Sequence, residues 1–147
     1  MKNSRRLQNI VEYKAMQEKN AREELGRCQQ KHQEIITQLE GLNQYRQDYH
    51  DKYKRLGGGG VVMQQLLDFR LFIEKLDKAI ADQKSLLKLM ENDLANKRKN
   101  WEKAYQGAKS LQKVQKMSMH DENKREQRLE QIEHDDRISR PGGIKNA

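Results

Sequence analysis

The sequence predicts an all-α protein: a two-helix antiparallel coiled-coil hairpin. Three observations carry this expectation. The 147-residue chain is 34% hydrophobic and 35% charged with one proline, and its mean hydropathy is −1.19. That is too little apolar matter to wrap a thick globular core. It suffices for one stripe along a helix, which needs only about two positions in seven. Second, two long segments carry apolar residues at alternating steps of four and three. Third, the only glycine run, Gly57 to Gly60, lies between them. The expected layout is one domain: a helix over 5–56, a glycine turn over 57–61, a helix over 62–138 and a disordered tail over 139–147.

The first helix is read from the positions Leu7, Val11, Lys14, Glu18, Ala21, Leu25, Cys28, His32, Ile35, Leu39, Leu42, Arg46, Tyr49, Tyr53 and Leu56, of which 11 of 15 are apolar. Heptad spacing held over this length is a coiled-coil signal, and the Lys, Glu, Gln, Leu and Arg around it are strong helix formers. The glycines come next. A Walker-type phosphate loop needs a Lys-Ser/Thr pair after its last glycine, but Val61-Val-Met63 follows here and no strand precedes. Gly57 is instead where a helix can end in the left-handed conformation without a Cβ clash. The second helix has Leu66, Phe69, Ile73, Leu76, Ile80, Gln83, Leu87, Met90, Leu94, Lys97, Trp101, Ala104, Ala108 and Leu111 at the same stepping, 12 of 14 apolar. Beyond Leu111 the stripe fades through Gln115, Ser118, Glu122 and Arg125, and only Leu129 and Ile132 recover it before Pro141.

Antiparallel pairing fixes the register. The two stripes match when facing residue numbers sum to about 122, which sets Trp101 against Ala21 and His32 against Met90. Arg46 then falls opposite Leu76, Gln83 opposite Leu39 and Lys97 opposite Leu25, polar exceptions that fix register at some cost in stability. On one flank of the seam, Tyr45, Phe72 and Leu86 are apolar near the turn, Lys31, Asp93, Glu24 and Asn100 are polar midway, and Ile10 faces Val114 at the open end. The other flank is polar near the turn, with Asn43, His50, Arg70, Asp77 and Lys84. A flank apolar at both ends and polar between them suggests two contact surfaces; the alternative is that these side chains fold over the seam and widen the core.

Several classes of function are disfavoured. The net charge of +8 and pI near 9.6 would suit nucleic acid, an anionic membrane or an acidic protein, but the signs alternate through most of both helices. Residues 95–128 hold ten Lys or Arg against four acidic residues, readable as a solvated face or as a surface for an acidic or phosphate-rich partner. Clusters such as Lys97-Arg-Lys99 lack the aromatic interleaving of single-strand binders, so no nucleic acid is expected. Cys28 is the sole cysteine, which excludes an internal disulfide and a Cys-rich zinc site. His32, His50, His120 and His134 lack the His-x-x-x-His spacing of a helical metal site. Cys28 and His32 are four apart but both face the seam, where packing explains them better than a nucleophile does. No enzyme, cofactor or metal is expected. No apolar run approaches the roughly 18 residues of a membrane span, and Met1-Lys-Asn-Ser-Arg-Arg6 leads into no signal core, so a cytosolic chain is expected.

The stretch Phe72-Ile-Glu-Lys-Leu-Asp-Lys-Ala-Ile-Ala-Asp-Gln83 closely resembles the FliJ family of flagellar export proteins in its FI-x-x-L-x-K-A-I-x-x-Q pattern just after a glycine turn. Trp101-Glu-Lys103 with Leu111-Gln112, the span 38–49 and Glu126-Gln-Arg-Leu-Glu130 extend the likeness over nearly the whole chain. The resemblance implies a soluble component of the bacterial flagellar type III export apparatus, a coiled coil similar to the central stalk of rotary ATPases. It implies a stalk that enters the hexameric ring of the export ATPase FliI and promotes ring assembly. It further implies contact with the export-gate protein FlhA, and escort or recycling of substrate chaperones. Location would be cytoplasmic, peripheral to the inner face of the cell membrane at the flagellar base. The gate surface is assigned to Gln38, Leu42, Tyr45, Tyr49, Phe72, Leu76, Ala79 and Gln83, and the ATPase-ring surface to Leu7, Ile10, Val11, Trp101, Leu111 and Val114 with the C-terminal helix. The alternative is an export chaperone that grips secreted flagellar subunits directly. Four consecutive glycines make a longer turn than the family pattern requires, which leaves the geometry of the tip open.

Overall fold

A computed structural model describes residues 2–56 and 63–139, with side chains over 5–55 and 63–139. The chain is all-α: α1 is Lys2–Leu56 and α2 is Met63–Ser139, two long helices packed against each other. The glycine turn and the tail from residue 140 onward fall outside the described residues, whereas Ser139 closes α2. Neither helix has an acidic residue in its first turn, but Lys54 and Arg55 end α1 and Arg137 ends α2. Those cations sit where the last unsatisfied carbonyls gather partial negative charge.

The packing forms two compact units. One is Ala21–Trp101; the other pairs the start of α1 through Asn20 with α2 from Glu102 onward. Within Ala21–Trp101 every described seam position of α1 is buried or half-buried, and so is each α2 position from Phe69 to Trp101. Leu66 departs from the pattern at 40% exposure. The first closed layer there is Phe69 on Tyr53, with ring centroids 3.8 Å apart. In the terminal unit Leu7, Val11, Lys14 and Glu18 turn inward, as do Ala104, Ala108 and Leu111. The seam does not stop at Leu111. Gln115, Ser118 and Glu122 remain half-buried at the same stepping, and Gln115 Nε2 donates a hydrogen bond to Gln8 Oε1. Polar side chains can continue a seam when they satisfy each other across it. Residues 123–139 of α2 are exposed throughout.

The register carries the constant sum that antiparallel pairing requires. Cys28 meets Asp93, Lys97 meets Glu24, Arg46 meets Asp77 and Gln115 meets Gln8, each pair within one of 122. The interface is thin. Val11, Cys28, Ile35, Leu76, Ile80 and Ala108 are the buried apolar residues, and none of the described side chains is completely buried. A two-helix seam leaves an edge of each layer in water, so each buried side chain contributes less than the roughly 1.5–3 kcal/mol of full burial.

Three polar seam residues lean toward a carboxylate one position off the register. Arg46 lies over Leu76 in the register but reaches one residue further, donating from Nε to Asp77 Oδ1 at 2.6 Å. Lys97, over Leu25, donates to Glu24 Oε2 at 3.4 Å, and His32, over Met90, sits with Nε2 3.7 Å from Glu91 Oε1. The long Arg46 and Lys97 side chains leave the apolar layer by bending toward a carboxylate at its rim, which keeps the charged head in water, whereas His32 Nε2 stays buried without a hydrogen-bond partner. On the flank, Glu24 accepts from Lys97, and Asp93 accepts from the Cys28 thiol at 3.5 Å.

Candidate functional site

The residues that chemistry would need are arranged for packing. Cys28 is buried at the seam, and its thiol is pushed above the ordinary value, first by burial and then by the hydrogen bond and charge of Asp93. A nucleophilic cysteine requires the opposite shift toward thiolate. Among the described residues, no three His, Cys, Asp or Glu side chains are grouped to hold a metal ion. Among the same residues no helix is long and apolar enough to cross a membrane.

The Ala21–Trp101 unit carries an aromatic cluster near the start of α2. Tyr49 stacks on Phe69 at 5.4 Å and tilts against Phe72 at 4.4 Å. Tyr53 stacks on Phe69 at 3.8 Å, His50 lies 6.2 Å from the same ring, and Tyr45 meets Phe72 edge-on at 5.8 Å. Offset and edge-on pairs at these separations each add about 0.5–1.5 kcal/mol beyond burial. The cluster forms because steps of three and four place Tyr45, Tyr49 and Tyr53 in a row on α1 facing Phe69 and Phe72 on α2. Five of the eight Phe, Tyr and Trp residues of the chain are in it.

Of the eight residues assigned to a gate surface, Gln38 and Tyr45 are exposed, whereas Leu42, Tyr49, Phe72, Ala79 and Gln83 are half-buried. Leu76 is buried at 7% exposure and supports the ridge from below. The Gln83 Oε1 atom is buried without a hydrogen-bond partner. Phe69 and Tyr53, seam positions by heptad spacing, join this cluster, and their spacing from Phe72 and Tyr49 is the signal in the sequence that groups them. Leu67 and Leu71 stand 48% and 57% exposed on the outer face of α2, which seam spacing does not single out.

In the terminal unit, Ile10 and Val114 are exposed at 46% and 48%, while Leu7 and Leu111 are half-buried and Val11 is buried. Tyr13, Met16, Met117 and Met119 add exposed apolar area in this unit. Trp101, assigned to the same surface, is half-buried at the edge of the Ala21–Trp101 unit. The structure therefore brings Leu7, Ile10, Val11, Leu111 and Val114 into one unit and leaves Trp101 in the other.

No curated protein and no solved structure matches the chain. Comparison with protein families matches residues 2–141 to the family described as Flagellar FliJ protein. The match spans both helices and both units, and so the chain belongs to the FliJ family of flagellar protein-export components.

Proposed function

We propose that the chain is a central-stalk-like coiled coil of the flagellar export apparatus, working through two protein-contact surfaces. One observation carries this reading: exposed apolar side chains are found on both units. In the Ala21–Trp101 unit, Tyr45 projects from the aromatic ridge with Gln38 exposed two turns earlier on the same face of α1, suited to a recessed apolar site on the export gate FlhA. In the terminal unit, Ile10 and Val114 offer a second apolar flank to the ring of the export ATPase FliI, whose assembly the chain would promote. Escort or recycling of substrate chaperones completes the role, at the inner face of the cell membrane and through the apparatus. The likeness to a rotary stalk comes with this proposal.

The test is truncation after Leu111, a position still inside the packed seam of the terminal unit. The shortened chain is expected to keep gate binding and to lose stimulation of the purified export ATPase. Undiminished stimulation would end the assignment of the ring surface to the terminal unit. A second reading has its own observation: residues 123–139 are exposed helix with Leu129 and Ile132 on one stripe. Such a helix could grip a secreted subunit directly. Pull-downs separate the two, since an escort captures chaperones and a subunit chaperone captures cargo.

A further inference from the structure

Along α2 from residue 103 to 128, six cations share the side of the helix turned away from α1. Lys103, Lys109, Lys113, Lys116, Lys124 and Arg128 are all exposed. At 3.6 residues per turn they fall within an arc of about 140° and extend over about 38 Å of helix axis. Glu102 and Asp121 are the acidic residues on that arc. None of the six cations has an ion-pair partner among the described residues, in contrast to Arg46 and Lys97 in the other unit. Lys109 instead lies over the Tyr105 ring, 5.1 Å from its centre. A shallow furrow there is lined by Tyr105, Lys109, Lys113 and Lys116 without a carboxylate. Met117, 67% exposed, stands in the middle of the arc.

We propose that this outer face of α2 binds the anionic phospholipid surface of a membrane. Five of the six cations are lysine, a hydrated point charge on a flexible stem, which suits the smeared charge of a bilayer. Paired recognition of carboxylates on a protein face favours the planar fork of arginine. A convex helix face can lie along a flat bilayer with all six cations engaged, whereas a single strand of nucleic acid stacks on successive aromatic rings, and Tyr105 is the only Phe, Tyr or Trp between 103 and 128. Met117 and Tyr105 supply the short apolar and aromatic contacts that sit at the headgroup boundary of interfacial helices. The face borders the seam flank of Val114, since Met117 and Val114 line one furrow, but none of the six cations is among the residues assigned to the ATPase ring, so the proposal does not depend on that assignment.

The experiment is co-sedimentation of the full chain with vesicles of phosphatidylcholine alone or containing phosphatidylglycerol, across a salt series. Each cation near an anionic bilayer contributes about fivefold to partitioning, so K109Q/K113Q/K116Q should bind on the order of 100-fold more weakly. The arginine triple variant K109R/K113R/K116R should retain binding. An equal charge change elsewhere, K78Q/K84Q/K88Q, should have a much smaller effect. Circular dichroism verifies helix content in every variant, and the glutamine substitutions keep good helix formers at exposed positions. Failure to sediment with anionic vesicles, equal binding to phosphatidylcholine alone, or equal loss in both glutamine variants would overturn the proposal. So would tighter binding of an oligonucleotide than of vesicles at the same salt, lost in K109Q/K113Q/K116Q.

Discussion

Tyr45 and Phe69 belong to one aromatic cluster but should differ sharply when truncated. Phe69 is half-buried between Tyr49 and Tyr53, at 5.4 and 3.8 Å, with His50 at 6.2 Å. Replacing it by alanine removes two stacked contacts and opens the first closed layer of the seam. The expected cost is about 3 kcal/mol, at the low end for a phenylalanine because the ring is not fully buried. Tyr45 is 53% exposed and touches the cluster through a single edge-on contact with Phe72. Its truncation should cost about 1 kcal/mol, mostly that one aromatic pair. Phe72, half-buried against Tyr45 and Tyr49, should fall between them at about 2 kcal/mol. Tyr45→Ala is therefore a cleaner probe of docking than any change that includes Phe72, whose loss would disturb the helix pair as well. The assay is urea unfolding followed by far-ultraviolet circular dichroism, alongside gate binding by each folded variant. The reasoning predicts that Tyr45→Ala loses binding while nearly keeping its midpoint. If Tyr45→Ala shifts the midpoint as far as Phe69→Ala, the side chain is part of the core and the ridge is not a docking surface.

Other consequences follow from single residues. Gln83 hides its carbonyl oxygen without a partner, so Gln83→Met should raise stability by about 1 kcal/mol in the same unfolding assay. Gly26 and Gly41 lie inside α1 with nothing within 4 Å of an added Cβ. Alanine at either should stabilise by about 0.5–1 kcal/mol, and a lower midpoint would mean the site is more crowded than the structure shows. The Cys28 thiol is raised in the folded chain by burial and by Asp93, so the unfolded chain gives up its proton first as pH rises. Stability should fall once pH passes the ordinary thiol value of about 8.5, and Cys28→Ala should lessen this slope. Thiolate-directed reagents should label Cys28 slowly until the helices are unfolded. Ile80, 7% exposed, should cost about 3 kcal/mol when truncated to alanine.

The pairing of the helices was legible because a two-helix seam leaves its period in the sequence. Leu76 and Ile80 on one stripe and Cys28 and Ile35 on the other were placed by counting alone, and all four are buried. The polar partners were less legible. Counting puts Arg46 over Leu76 and stops there, while the guanidinium reaches past the layer to Asp77. The same displacement by one residue sends Lys97 to Glu24 and His32 toward Glu91. A layer diagram treats side chains as points, but arginine and lysine are long enough to choose a neighbour. The outer extent of the seam was also understated, since Gln115 and Ser118 break the apolar count without breaking the packing. Surfaces are the hardest to read. Ile10 and Val114 were found by their place beside the seam, whereas Leu67 and Leu71 lie on an outer face that heptad counting ignores.

The central claim is that this helical pair works by engaging the export ATPase. It is tested most directly by the hydrolysis rate of the purified ATPase, measured alone, with the full chain, and with the chain truncated after Leu111. The account predicts a higher rate and ring formation with the full chain, and neither with the truncated one. A rate unchanged by saturating full-length chain would contradict it.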